Sequence, residues 1–114
     1  MKNATFLDYI DDMLDAISKI RTFLAGFDFE TFAKDDKTQF AVIRALEIIG
    51  EASKKIPDNI KIIYSDVPWR EIAGMRDKLI HDYFGIDLDV VWKTTVEDIP
   101  SVLDSLKQIK QDNE

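Results

Sequence analysis

At 114 residues, 46% hydrophobic and 32% charged, the chain is long enough for one domain with one core and too short for two. Zero cysteines exclude disulfide scaffolds, thiolate zinc sites and cysteine nucleophiles, and a single histidine excludes a histidine-rich metal centre within one chain. A net charge of −7, from 15 bases and 22 acids, opposes nucleic acid and anionic membranes as a whole-chain figure.

Only 4 Gly and 3 Pro leave few turns, which favours long helices. Phe6, Ile10, Met13, Ile17, Ile20 and Leu24 recur at three- and four-residue spacing, so a first helix is expected over Ala4 to Ala25 with Gly26 closing it. FDFETFAK, residues 27–34, is an aromatic connector that tucks Phe27, Phe29 or Phe32 against the core. Asp36 and Gln39 then have the spacing of a capping box for a second helix, running to about Lys55 with Phe40, Ile43, Leu46 and Ile49 on one face. Pro57 ends it, and Asp58 to Ser65 is one or two helical turns.

Pro68 suits the first turn of a third main helix reaching about Tyr83, stopped by Gly85. Asp87 can cap a helix from Leu88 to about Thr95, and Asp98 with Pro100 restarts or kinks the last one, to about Lys110. The expected architecture is a single all-α domain over residues 1–114, a bundle of four main helices plus short ones. No run of apolar residues suits a membrane span, and acids come too early for a secretory leader. A cytoplasmic protein with no membrane partner is expected.

The segment PWREIAGMRDKLIHDYFG, residues 68–85, breaks its own pattern. On a helical wheel with Trp69 at zero, Arg76 falls at about 340°, inside the stripe of Ile72, Ala73, Leu79, Ile80 and Tyr83. An arginine there needs an anionic partner. That partner is either a core carboxylate such as Glu47 or Glu51, or a bound anion. His81 falls at about 120°, one turn from Asp77, whose carboxylate can reach the imidazole, and beside Gly74, whose bare backbone admits a close neighbour. A surface pair with a packing glycine accounts for the same spacing. One straight helix cannot aim Arg76, His81 and Tyr83 at one atom. Either it bends near its end, or a second copy across a two-fold axis completes the site, and a homodimer is expected.

Residues 54–93 carry seven bases and seven acids, so the whole −7 lies outside this segment. Within it, Lys54 and Lys78 are candidate nucleic-acid contacts and Trp69 a candidate stacking surface. A mixed solvated face is the other reading.

Arg76-x4-His81-x-Tyr83, set in the frame VPWREIAGMRDKLIHDYFGID with GEASKKIP (Gly50 to Pro57) upstream, resembles the HepT-like toxins of the HEPN superfamily. The likeness runs along nearly the whole chain. It implies a small all-α homodimer acting as a metal-independent endoribonuclease, with no cofactor. Arg76 and His81 would form the RNA-cleaving centre in a cleft between protomers, with Asp77 in support. The implied partner is an MntA-like nucleotidyltransferase antitoxin of a type VII toxin–antitoxin pair, which would transfer AMP to Tyr83. Two other readings use the same residues: a non-catalytic helical module that binds a nucleotide or the nucleotidyltransferase, and a structural dimerisation domain.

Overall fold

A computed structural model of the chain describes residues 5–81 and 85–114, with the backbone alone at positions 76, 80, 81 and 86. Thr5 opens the first helix, α1 (Phe6–Leu24), by donating its N–H to the Asp8 carboxylate at 2.8 Å. Its apolar stripe points inward, with Ile10, Met13, Ala16, Ile17 and Ile20 buried. Gly26 follows it with φ +82, as a helix terminator should.

The aromatic connector is itself a short helix, α2 (Phe29–Ala33), capped by Asp28. Of its three phenylalanines Phe32 is the one fully buried, and its ring packs on Trp92 with centroids 5.4 Å apart.

The second long helix, α3 (Asp36–Ser53), departs from expectation in two respects. The cap is Asp35, whose carboxylate accepts from Thr38 N–H at 3.0 Å, and Gln39 donates instead to the Phe32 carbonyl at 2.8 Å. Phe40 is 69% exposed, because the buried face runs through Val42, Ile43, Ala45, Leu46, Ile49 and Gly50. Phe40 lies about 120° round the helix from Leu46. Gly50 sits where α3 touches the chain near Ile72: a Cβ there would stand 3.0 Å from the Ile72 carbonyl oxygen.

A short helix, α4 (Asp58–Ile63), follows Pro57. Trp69 is buried, and its indole N–H donates to the Tyr64 carbonyl at 3.0 Å. It therefore braces the turn after α4, and the stacking role suggested by its position is withdrawn.

The third main helix is not continuous. It divides into α5 (Trp69–Ala73) and α6 (Met75–Leu79), separated at Gly74. Beyond Leu79 the backbone is extended: β1 (Ile80–His81) pairs antiparallel with β2 (Gly85–Ile86), and His81 lies opposite Gly85. The Asp87 N–H then donates to the Leu79 carbonyl at 3.2 Å. Helix is thus replaced by a two-residue ladder that satisfies the same backbone groups. Gly85 has φ +76, a conformation costing a side-chain-bearing residue about 1–2 kcal/mol.

Asp87 caps α7 (Leu88–Lys93), its carboxylate accepting from Val90 N–H at 3.2 Å. The chain continues through one π-helical turn (Thr94–Asp98) into α8 (Ile99–Asn113), which runs three residues past the expected end. Pro100 accounts for the turn: it has no N–H for the Val96 carbonyl, and its ring would strike that oxygen in regular α geometry. The wider turn has Ile99 N–H bonded to Thr94 instead.

Helix α1 packs against α3 and α8, and α5 and α6 lie on α3. The shared core includes Leu46, Ile49, Leu79, Leu106 and Ile109, all fully buried, each worth about 1.5–3 kcal/mol of transfer free energy. The class is all-α. Among the described residues, no helix is long and apolar enough to cross a membrane.

Candidate functional site

The segment singled out in the sequence spans α5, α6 and the strand after them, and its candidate residues start in α6. Arg76 and Asp77 are consecutive residues of α6, and His81 is the second residue of β1. The wheel position assigned to His81 therefore does not apply, because the helix stops two residues before it. Asp77 and His81 are not an i, i+4 pair on one helix. The two residues lie on either side of a helix-to-strand corner.

Local sequence and packing explain the corner. Met75 and Leu79 are buried, which seats α6 on α3, and Gly74 separates it from α5. The ladder between Ile80–His81 and Gly85–Ile86 fixes the His81 backbone beside Gly85. Asp77 is exposed. Tyr83 lies outside the described residues.

Both candidate lysines are half-exposed and already paired. Lys54 follows α3 and approaches the Glu51 carboxylate at 3.3 Å, while Lys78 on α6 stands 3.9 Å from Asp98. Pairs this exposed contribute about 0–1 kcal/mol, so either ammonium can exchange its carboxylate for another anion. Glu51, one of two carboxylates considered for Arg76, is exposed and carries the Lys54 contact. Among the described residues no group of three or more histidine, cysteine, aspartate or glutamate side chains is placed to hold a metal ion.

The feature that the sequence did not reveal is a cleft of about 260 Å³ between α5–α6 and the π-turn. Its apolar walls include Ile72, Met75 and Val102, and its polar groups include Glu71, Lys78 and Asp98. The only signal for it along the chain is Asp98 with Pro100, which marks the distortion of the facing helix.

Residues 13–109 match the family model described as "Ribonuclease HepT-like". The chain belongs to the HepT-like ribonuclease family. A protein of Thermococcus cleftensis named "Probable ribonuclease HepT" is 55% identical over 104 residues, 91% of this chain and 94% of its own length. A protein of Caldanaerobacter subterraneus subsp. tengcongensis, named as a proposed RNase, is 43% identical over 90% of this chain and 92% of its own. One from Methanocaldococcus jannaschii, similarly named, is 43% identical over 93% and 91%. No solved structure gives a match. The matched span of this HepT-like chain takes in α6, β1, β2 and the π-turn, so the corner carrying Arg76 and His81 lies inside the family region.

Proposed function

We propose that this chain is the toxin of a type VII HEPN/MNT toxin–antitoxin pair and cleaves RNA endonucleolytically without a metal. The observation that carries the reading is the Arg76–His81 pair, in a chain of the HepT-like ribonuclease family, at a corner where helix gives way to strand.

RNA supplies its own nucleophile. A base removes the 2′-hydroxyl proton, the oxygen bonds to the neighbouring phosphorus, and the 5′-oxygen leaves with a proton from an acid. The products are a 2′,3′-cyclic phosphate and a free 5′-hydroxyl. Imidazole suits both proton transfers, since it ordinarily titrates near about pH 6.5, and His81 is the one histidine in the chain. A second protomer would supply the second imidazole across a two-fold cleft. Arg76 offers a planar donor fork to the phosphorane oxygens, where charge builds up in the transition state. Asp77, next to Arg76 on α6, supports the pair, and Lys54 and Lys78 add cationic contacts for the RNA strand. An MntA-like nucleotidyltransferase would silence the enzyme by transferring AMP to Tyr83, adding bulk and negative charge that repel the substrate.

The test is RNA cleavage in the presence of a chelator by native protein, Arg76→Ala and His81→Ala. Native protein is expected to cut and leave 2′,3′-cyclic ends, with each variant slower by about 10²–10⁴-fold. Equal rates for all three would remove these residues from the site, and loss of native cleavage in chelator would remove the metal-free mechanism. Co-expression with the nucleotidyltransferase should add AMP mass to the native chain and none to Tyr83→Phe.

A further inference from the structure

We infer that the cleft between α5–α6 and the π-turn is a nucleobase subsite, and that guanine is the base it fits best. The choice of ligand rests on the ribonuclease reading above, because the cleft shares α6 with Arg76 and Asp77. It lies where two helices are interrupted opposite one another, the first at Gly74 and the second at the Thr94–Asp98 π-turn. Such turns open a helix surface that regular packing would close, and they recur at functional sites.

The cleft has the chemistry of a base site and not of a phosphate site. At about 260 Å³ it is below the range that holds a drug-sized ligand, about 300–1,000 Å³, and suits a single ring system. Ile72, Met75 and Val102 give apolar surface for the faces of a flat heterocycle, and a methionine sulfur packs well against such a ring. The hydroxyls of Thr94 and Ser101 already donate to backbone carbonyls, those of Val90 at 2.8 Å and Asp98 at 3.2 Å, and have no second hydrogen to give a ligand. The groups left at the mouth are the carboxylates of Glu71 and Asp98 and the ammonium of Lys78, 3.9 Å from Asp98.

Two acceptors and one cation give a local charge of −1, which disfavours a phosphate. They match guanine, whose O6 accepts while the adjacent N1–H and amino group donate. Lys78 would donate to O6, and the carboxylates would accept from the N–H groups. Cytosine and adenine place an acceptor where guanine donates, and uracil has no amino group.

The experiment is a titration of methyl-labelled native protein followed through the Met75 methyl resonance, with Met13, which is fully buried, as the internal reference. The probes are the four nucleoside monophosphates and inorganic phosphate. GMP should move Met75 saturably and leave Met13 in place, with AMP, CMP and UMP binding at least several-fold more weakly and phosphate without effect. Asp98→Asn should weaken GMP by about tenfold, and Ser101→Tyr, which fills the cleft from an exposed position, should abolish the shift. No Met75 shift with GMP, an equal response to all four nucleotides, or the same shift with phosphate alone would overturn the assignment. The two readings fail separately. RNA cleavage without GMP binding at Met75 removes the subsite and keeps the nuclease. GMP binding without cleavage keeps the subsite and removes the nuclease.

Discussion

The Asp28 carboxylate takes two hydrogen bonds from one residue, the Thr31 N–H at 2.8 Å and the Thr31 hydroxyl at 2.9 Å. The backbone bond chiefly, and the hydroxyl bond after it, hold its pKa below the ordinary 3.8. A depressed folded value means that the stabilisation is complete above the unfolded pKa and is lost as pH falls through the folded one. Asp28→Ala should therefore lower the melting temperature near neutral pH, and its deficit against native protein should shrink as pH is taken below the ordinary carboxylate value of 3.8. Melts at the two pH values check this, and a deficit independent of pH would assign the loss to something other than the carboxylate. What this cap protects is the entry of α2, whose Phe32 is fully buried against Trp92. A hydrogen bond at the surface thus holds an aromatic contact that reaches across to α7.

At the scale of elements the decisive contact is α3 on α5, and Gly50 makes it possible. A methyl at this position would sit 3.0 Å from the Ile72 carbonyl oxygen, a backbone atom that cannot rotate away. Gly50→Ala should cost about 1–3 kcal/mol by overpacking, although alanine is the better helix former. Thermal unfolding reads the sign directly: a stabilised variant would mean that helix propensity outweighs the clash. The long helices were legible in the sequence because their stripes are long. Ile10, Met13, Ile17 and Ile20 on α1, and Ile43, Leu46 and Ile49 on α3, are buried as their spacing requires. Phe40 leaves that face because a strict three-residue step drifts about 60° each time against the 3.6-residue turn, which carries it about 120° from Leu46. The corner after Leu79 was hidden for the opposite reason. Residues 75–83 keep helical periodicity to the end, and what stops the helix is a pairing with Gly85–Ile86, which local propensity does not encode. In the site, Arg76 stands out as a charge on an apolar stripe, whereas Glu71, Lys78 and Asp98 belong to three elements, α5, α6 and the π-turn, and no spacing along one helix could join them.

Over the whole molecule, the net charge of −7 belongs to the flanking sequence, since residues 54–93 balance. With the segment itself neutral, local contacts decide whether RNA binds. One chain carries one Arg76 and one His81, while a reaction with an acid and a base has use for two imidazoles. Two protomers about a two-fold axis would meet that need and would also repeat the arginine. The arrangement makes a strong prediction about mixtures. If each centre works with one imidazole and takes Arg76 from one protomer and His81 from the other, a heterodimer of Arg76→Ala with His81→Ala has one intact centre and one that lacks both groups. Random exchange makes about half of the dimers heterodimers, so the mixture should recover about a quarter of native activity, from two proteins that are each nearly inactive. If both groups of a centre come from the same protomer, or if one centre needs both imidazoles, every centre in the mixture stays damaged and no activity returns. Mixing after mild unfolding and refolding, with cleavage rate as the readout and native protein carried through the same steps, separates the two arrangements. Recovery would show that the corner in α6 and β1 presents its arginine and its histidine to different centres.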